Sequence, residues 1–151
     1  MRKHFYNSLI AFFGGLFGVS VIFIAFYLIS EVGAFENPFL LTPLGIFLYY
    51  LFVISLIEEG TKFLLIKRDI GQHPYGFLLG LGFGIGESIL IHPLTEYGGV
   101  FERRTPAILL HIITAGLISY AIKKNKPIAG FLVAIALHTG FNLLVNYVAT
   151  Q

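Results

Sequence analysis

The chain has 151 residues, of which 56% are hydrophobic and only 12% charged, against about 25% charged in a soluble domain. Such a chain cannot cover itself with polar surface, so a water-soluble globule is excluded, and a formal net charge of +2 is too small to draw nucleic acid. With no cysteine, disulfides, iron–sulfur clusters and thiol nucleophiles are excluded as well.

At roughly 20 apolar residues per crossing, the length accommodates about five spans. The expected fold is all-α: one integral membrane domain, residues 1–151, with spans at about 8–30, 39–66, 75–92, 106–122 and 127–148. The first run, Phe5 to Ser30, is uncharged and follows Arg2 and Lys3. It is too long for a signal peptide and no small-residue cleavage site follows it, so it reads as a retained span. Gly14, Gly15 and Gly18 predict close helix contact on one face. A short acidic connection, Glu31 to Pro38, leads to the second span, which carries Glu58, Glu59 and Lys62 and leaves the bilayer at Lys67-Arg68-Asp69. In the third span Gly76, Gly80 and Gly84 lie four apart, the small-residue spacing that lets helix backbones approach. His92-Pro93 ends it, and Leu94 to Thr105 is a polar loop. The fourth span starts at Pro106, a residue well tolerated in a first helical turn. Lys123-Lys124-Asn125-Lys126 separates it from the fifth, which starts at Pro127.

Lysine and arginine mark alternate connections. Arg2 and Lys3, then Lys67 and Arg68, then Lys123, Lys124 and Lys126 fall on one side, while the first loop and the carboxyl end have none and the third loop has only Arg103 and Arg104. The positive-inside rule predicts a multi-pass protein of the cell membrane with a cytoplasmic amino terminus and a carboxyl terminus outside. A short, cysteine-free chain of this kind looks prokaryotic.

Glu58, Glu59 and Glu87 interrupt apolar helices. An acidic residue at a helix centre costs roughly 2.5–3.5 kcal/mol on insertion scales, so these side chains must face protein or trapped water. Lys62 lies one helical turn from both Glu58 and Glu59. His111 lies inside the fourth span and shares a face with Thr114 and Arg104. His138 and Asn142 share a face of the fifth, which Asn146 extends. Taken singly, each histidine is as well explained by packing, Lys62 by neutralising a glutamate, and Arg104 by anchoring at the interface. Carboxylates and imidazoles on four separate spans, each able to turn inward, predict one shared polar cavity.

The string Glu58-Glu59-Gly60-Thr61-Lys62 resembles the EExxK motif of the PrsW-like intramembrane proteases. Phe83 to Glu87 resembles their FxxxE motif, His111 falls where the next span supplies a histidine, and His138 to Asn142 resembles the closing HxxxN motif. These proteins are similar to the larger superfamily of type II CAAX prenyl endopeptidases and bacteriocin-processing enzymes. CAAX-type members resemble EExxxR and FxxxH instead, so lysine here stands one place early and Glu87 replaces a histidine. The resemblance covers Glu58 to Asn142 and implies an endopeptidase cutting a membrane protein or a lipidated peptide, near the cytoplasmic or central part of the bilayer.

The resemblance implies Glu58 as general base toward water, with Glu59 orienting that water or a partner helix. His111 would share the water or protonate the leaving amine, and His138 and Asn142 would donate to the developing oxyanion. The same residue types are zinc ligands. Glu59, Glu87, His111 and His138 form the expected set for a metal-dependent version, although no HExxH spacing marks zinc. A proton or divalent-metal pathway would also use intramembrane carboxylates and histidines, and a nonenzymatic scaffold would use them only to join helices.

Overall fold

The computed structural model describes residues 2–31, 42–91 and 100–149, with side chains placed for 3–28, 42–90 and 105–148. Every regular element among them is helical. The order is α1 (Arg2–Glu31), α2 (Pro43–Leu48), a π-helical segment (Tyr49–Ser55), α3 (Leu56–Lys67), α4 (Gly76–Ile91), α5 (Val100–Lys123) and α6 (Pro127–Ala149). The second predicted span is thus composite: α2, the π segment and α3 run on as one rod. Among the described residues, four stretches are long and apolar enough to cross a membrane, residues 3–28, 43–67, 105–123 and 127–148. The chain is therefore an all-α membrane protein. The third predicted span corresponds to α4, which has 16 residues and is about 24 Å long at 1.5 Å per residue, short of a hydrocarbon core of about 30 Å.

The ends of these helices follow from local chemistry. At α2, Thr42 Oγ1 accepts from the Gly45 N–H at 3.0 Å and Pro43 supplies the first turn, as caps of this kind do. α3 closes with Asp69 at φ 66°; the Ile70 N–H reaches back to the Leu65 carbonyl at 3.0 Å and the Asp69 N–H to Ile66 at 3.2 Å. α5 closes the same way at Asn125, φ 56°, with Lys126 donating to Ala121 at 2.9 Å and Asn125 to Ile122 at 3.0 Å. Short polar side chains are what a left-handed residue after a helix requires in place of glycine. Both turns carry the basic residues and lie at the same end of the bundle, where His4 of α1 is hydrogen-bonded to the Tyr75 hydroxyl.

One boundary differs from expectation. α5 begins at Val100, so Pro106 sits inside the helix and not in its first turn. A proline there removes the bond to the carbonyl four residues earlier and crowds that carbonyl with its ring. Glu102, Arg103 and Arg104 are adequate helix formers, and the helix continues through Pro106. The residues around Asn37-Pro38 and His92-Pro93 lie outside the described residues.

α4 is the centre of the bundle, wedged between α1 and α5. Its glycines make this possible on two faces. A Cβ on Gly80 would lie 2.2 Å from the His111 carbonyl oxygen, and one on Gly84 2.8 Å from Ile108 Cα, both on α5. On the other face a Cβ on Gly82 would lie 2.0 Å from the Phe12 carbonyl oxygen of α1, and one on Gly15 of α1 would lie 2.1 Å from the Leu79 oxygen. Backbone therefore packs on backbone, the close approach that small residues permit in membranes. Ile66, Leu79, Ala115, Ile118 and Ala134 fill the apolar core toward the basic end.

Candidate functional site

Glu59, Glu87, His111 and His138 stand eight to twelve residues from the basic-end termini of α3, α4, α5 and α6. At 1.5 Å per residue they share a depth of about 12–18 Å. Equal depth on four helices is what lets them meet.

The centre of the cluster is Lys62, completely buried. Its Nζ lies 2.6 Å from Glu59 Oε1, 2.7 Å from His111 Nδ1 and 3.2 Å from Thr114 Oγ1, and 4.7 Å over the Phe83 ring. Glu59 Oε1 also lies 2.7 Å from His138 Nδ1 and 3.2 Å from the Thr114 hydroxyl. His111 Nε2 lies 2.5 Å from Glu87 Oε2. Two buried imidazoles, one ammonium and two carboxylates thereby join α3, α4, α5 and α6 in a single network. Buried charge is tolerable in this form because each ion has partners.

Glu58 is held differently. It is buried, and its Oε2 accepts no hydrogen bond from any described group. That oxygen lies 3.7 Å from His138 Nε2 and 4.0 Å from His111 Nε2, and the two rings meet edge to face at 5.2 Å. Separations beyond 3.5 Å between polar groups are those a shared water spans. Beside Glu58 is a cavity of about 350 Å³, walled by Val19, Ile22, Phe23 and Phe26 of α1 and by Tyr49, Tyr50 and Ile54 of the π segment. Glu58, Glu87 and Asn142 line it as well. It extends from mid-depth into the half of the bundle away from the basic turns.

The structure thus brings together all six residues singled out from the sequence, Glu58, Glu59, Glu87, His111, His138 and Asn142. Two expectations change. Lys62 does not serve Glu58 and Glu59 alike: its bonds go to Glu59, because Thr114 and His111 of α5 hold the ammonium on that side. The expected metal set of Glu59, Glu87, His111 and His138 is replaced by Glu58, His111 and His138, whose ligand atoms all lie within 4.8 Å of one another. Glu59 Oε1 receives Lys62 and His138, and Glu87 is bonded to His111. Carboxylate and imidazole suit zinc, and three protein ligands with an open position match a catalytic site. Glu58 Oε2 fits such an ion without rearrangement, whereas His111 Nε2 would have to leave Glu87.

Thr114, expected only to share a face with His111, is part of the network. Asn146 is half-buried and does not line the cavity, and the Arg104 side chain lies outside the described residues. Tyr49, Tyr50 and the aromatic stretch of α1 were not read from the sequence as site residues. The adjacent tyrosines within an apolar span were the available signal.

The fold and the site define a helical membrane protein with a buried glutamate–histidine–lysine cluster beside an intramembrane cavity. No protein-family model, curated protein or solved structure matches the chain.

Proposed function

We propose that this protein is an intramembrane endopeptidase of the PrsW-like kind, hydrolysing a peptide bond of a membrane-bound or lipidated protein with a water activated by Glu58. The observation that carries the reading is the placement of Glu58 Oε2. It is buried without a hydrogen bond, within 4.0 Å of two imidazole nitrogens, on the wall of a cavity that also receives Glu87 and Asn142. A carboxylate with an unused lone pair, facing a space large enough for substrate, is placed to take a proton from water. Asn142 supplies an amide donor for the oxyanion, a contribution of about 3–4 kcal/mol where measured in other enzymes. The resemblance of the four motif segments supports the same assignment.

The cavity lies from mid-depth into the half away from the basic turns. The reading therefore puts cleavage at central depth or on the noncytoplasmic side, and not near the cytoplasmic face. The protein would sit in the cell membrane with its amino terminus in the cytoplasm and its carboxyl terminus outside.

A metal-dependent version is favoured by one observation of its own, the Glu58, His111 and His138 cluster. In it those residues hold zinc, which would lower the pKa of a bound water. Elemental analysis of the purified protein separates the two. A stoichiometric metal whose removal abolishes cleavage supports the metal version; full activity in chelator supports Glu58 acting alone. Proteolysis itself is tested with purified protein in detergent. Cleavage lost in Glu58→Gln while folding is retained supports the proposal, and equal cleavage by the variant removes it.

A further inference from the structure

We propose that Lys62 is a positioning residue that holds His111 and His138 in opposite tautomers, so that the ring nitrogens nearest Glu58 are one N–H and one bare lone pair.

An ammonium has three donors and no acceptor. Three groups surround the Lys62 Nζ within bonding distance, Glu59 Oε1 at 2.6 Å, His111 Nδ1 at 2.7 Å and Thr114 Oγ1 at 3.2 Å. The donors are all used, and the Phe83 ring face covers the cation. Since the ammonium only donates, His111 Nδ1 accepts. The hydrogen of the neutral His111 ring is then on Nε2, donated to Glu87 Oε2 at 2.5 Å. The same ammonium compensates the Glu59 carboxylate. A carboxylate only accepts, so His138 Nδ1, 2.7 Å from Glu59 Oε1, carries the hydrogen of its ring. In the neutral ring His138 Nε2 is then bare, 3.7 Å from Glu58 Oε2, while the His111 Nε2–H stands 4.0 Å from that oxygen. One lysine, bonded to one histidine directly and to the other through Glu59, sets both rings. Fixing an imidazole's tautomer through its far nitrogen is a general device at sites where histidine does chemistry.

The assignment divides labour within the proposed protease, and this consequence rests on the proteolytic reading. A bare His138 Nε2 takes a proton and cannot donate to an oxyanion, so Asn142 is the donor, the His111 N–H being already given to Glu87. For a cation, Glu58 and His138 offer free lone pairs, whereas His111 would first have to surrender its hydrogen.

The tautomers are measured without substrate, so a failure here is distinguishable from a failure of the proteolytic reading. Nitrogen-15-labelled histidine in the full chain, in detergent micelles, reports each ring nitrogen as protonated or bare; His111→Gln and His138→Gln assign the signals. The expected pattern is a protonated Nε2 with a bare Nδ1 at His111, and the reverse at His138. Lys62→Met is expected to displace the His111 Nδ1 resonance. If that variant does not fold, Glu59→Gln/Lys62→Met removes both charges of the pair and serves the same comparison. The same tautomer at both histidines, a hydrogen on His111 Nδ1, or an Nδ1 resonance unmoved by loss of the lysine overturns the proposal.

Discussion

Glu58 and Glu59 are adjacent in the chain, yet their surroundings have little in common. Glu59 Oε1 receives Lys62, His138 and Thr114, its Oε2 having no hydrogen bond, while no described group is hydrogen-bonded to Glu58 Oε2. Substitutions should therefore separate. Glu58→Gln removes the proposed base without breaking a bond, and we expect hydrolysis to fall by about 10²–10⁴-fold, the usual contribution of general base catalysis, with the unfolding transition in detergent unchanged. Glu59→Gln leaves the Lys62 ammonium buried without its counter-charge. The expected loss is about 3–5 kcal/mol of stability, the magnitude for breaking one partner of a buried pair, read from the same unfolding transition. The sequence shows that both glutamates lie within one turn of Lys62. It does not show which is chosen, because the choice is made by Thr114 and His111 on α5 and by His138 on α6. Spacing along one helix cannot rank partners that arrive from other helices.

At the scale of elements, α4 carries the geometry. Gly80 places α4 against the His111 carbonyl, and His111 in turn meets Glu87 of α4. Gly80→Ala must drive α4 and α5 apart, since its Cβ would lie 2.2 Å from that oxygen. Overpacking of this kind typically costs about 1–3 kcal/mol, and the displacement should also weaken hydrolysis by separating Glu87 from His111. Gly116→Ala is the control. Nothing lies within 4 Å of the added Cβ, and alanine favours a helix over glycine by about 1 kcal/mol, so stability should hold or rise. The four-residue glycine spacing made the α5-facing side of α4 legible. The second face, Gly82 and Gly86 against α1, repeats that spacing two residues out of step and was not read as a second contact surface. The π-helical segment was also invisible in the sequence. Nothing in Tyr49-Tyr50-Leu51 distinguishes a wider turn from an α-helical one, and such turns, frequent at functional sites, depend on what packs around them.

For the molecule as a whole, apolar composition and loop charge dictate a multi-pass helical bundle, and the structure is that bundle. The convergence of carboxylates and histidines was legible because isolated charges in a bilayer need partners. The location and lining of the cavity were not, since they depend on the space left between α1 and the π segment. The chain has no cysteine, so single introduced cysteines report topology cleanly. Arg68→Cys and Asn125→Cys, in the two basic turns, should react with an impermeant thiol reagent only from the cytoplasmic side. Labelling from outside would invert the orientation and move the cavity to the cytoplasmic half. The most direct test of the central claim is a comparison of new protein amino termini in membranes containing the wild type or Glu58→Gln at equal abundance. The account predicts cleavage products from membrane-bound or lipidated proteins in the wild-type membranes that are missing with the variant. Identical termini in both would contradict it.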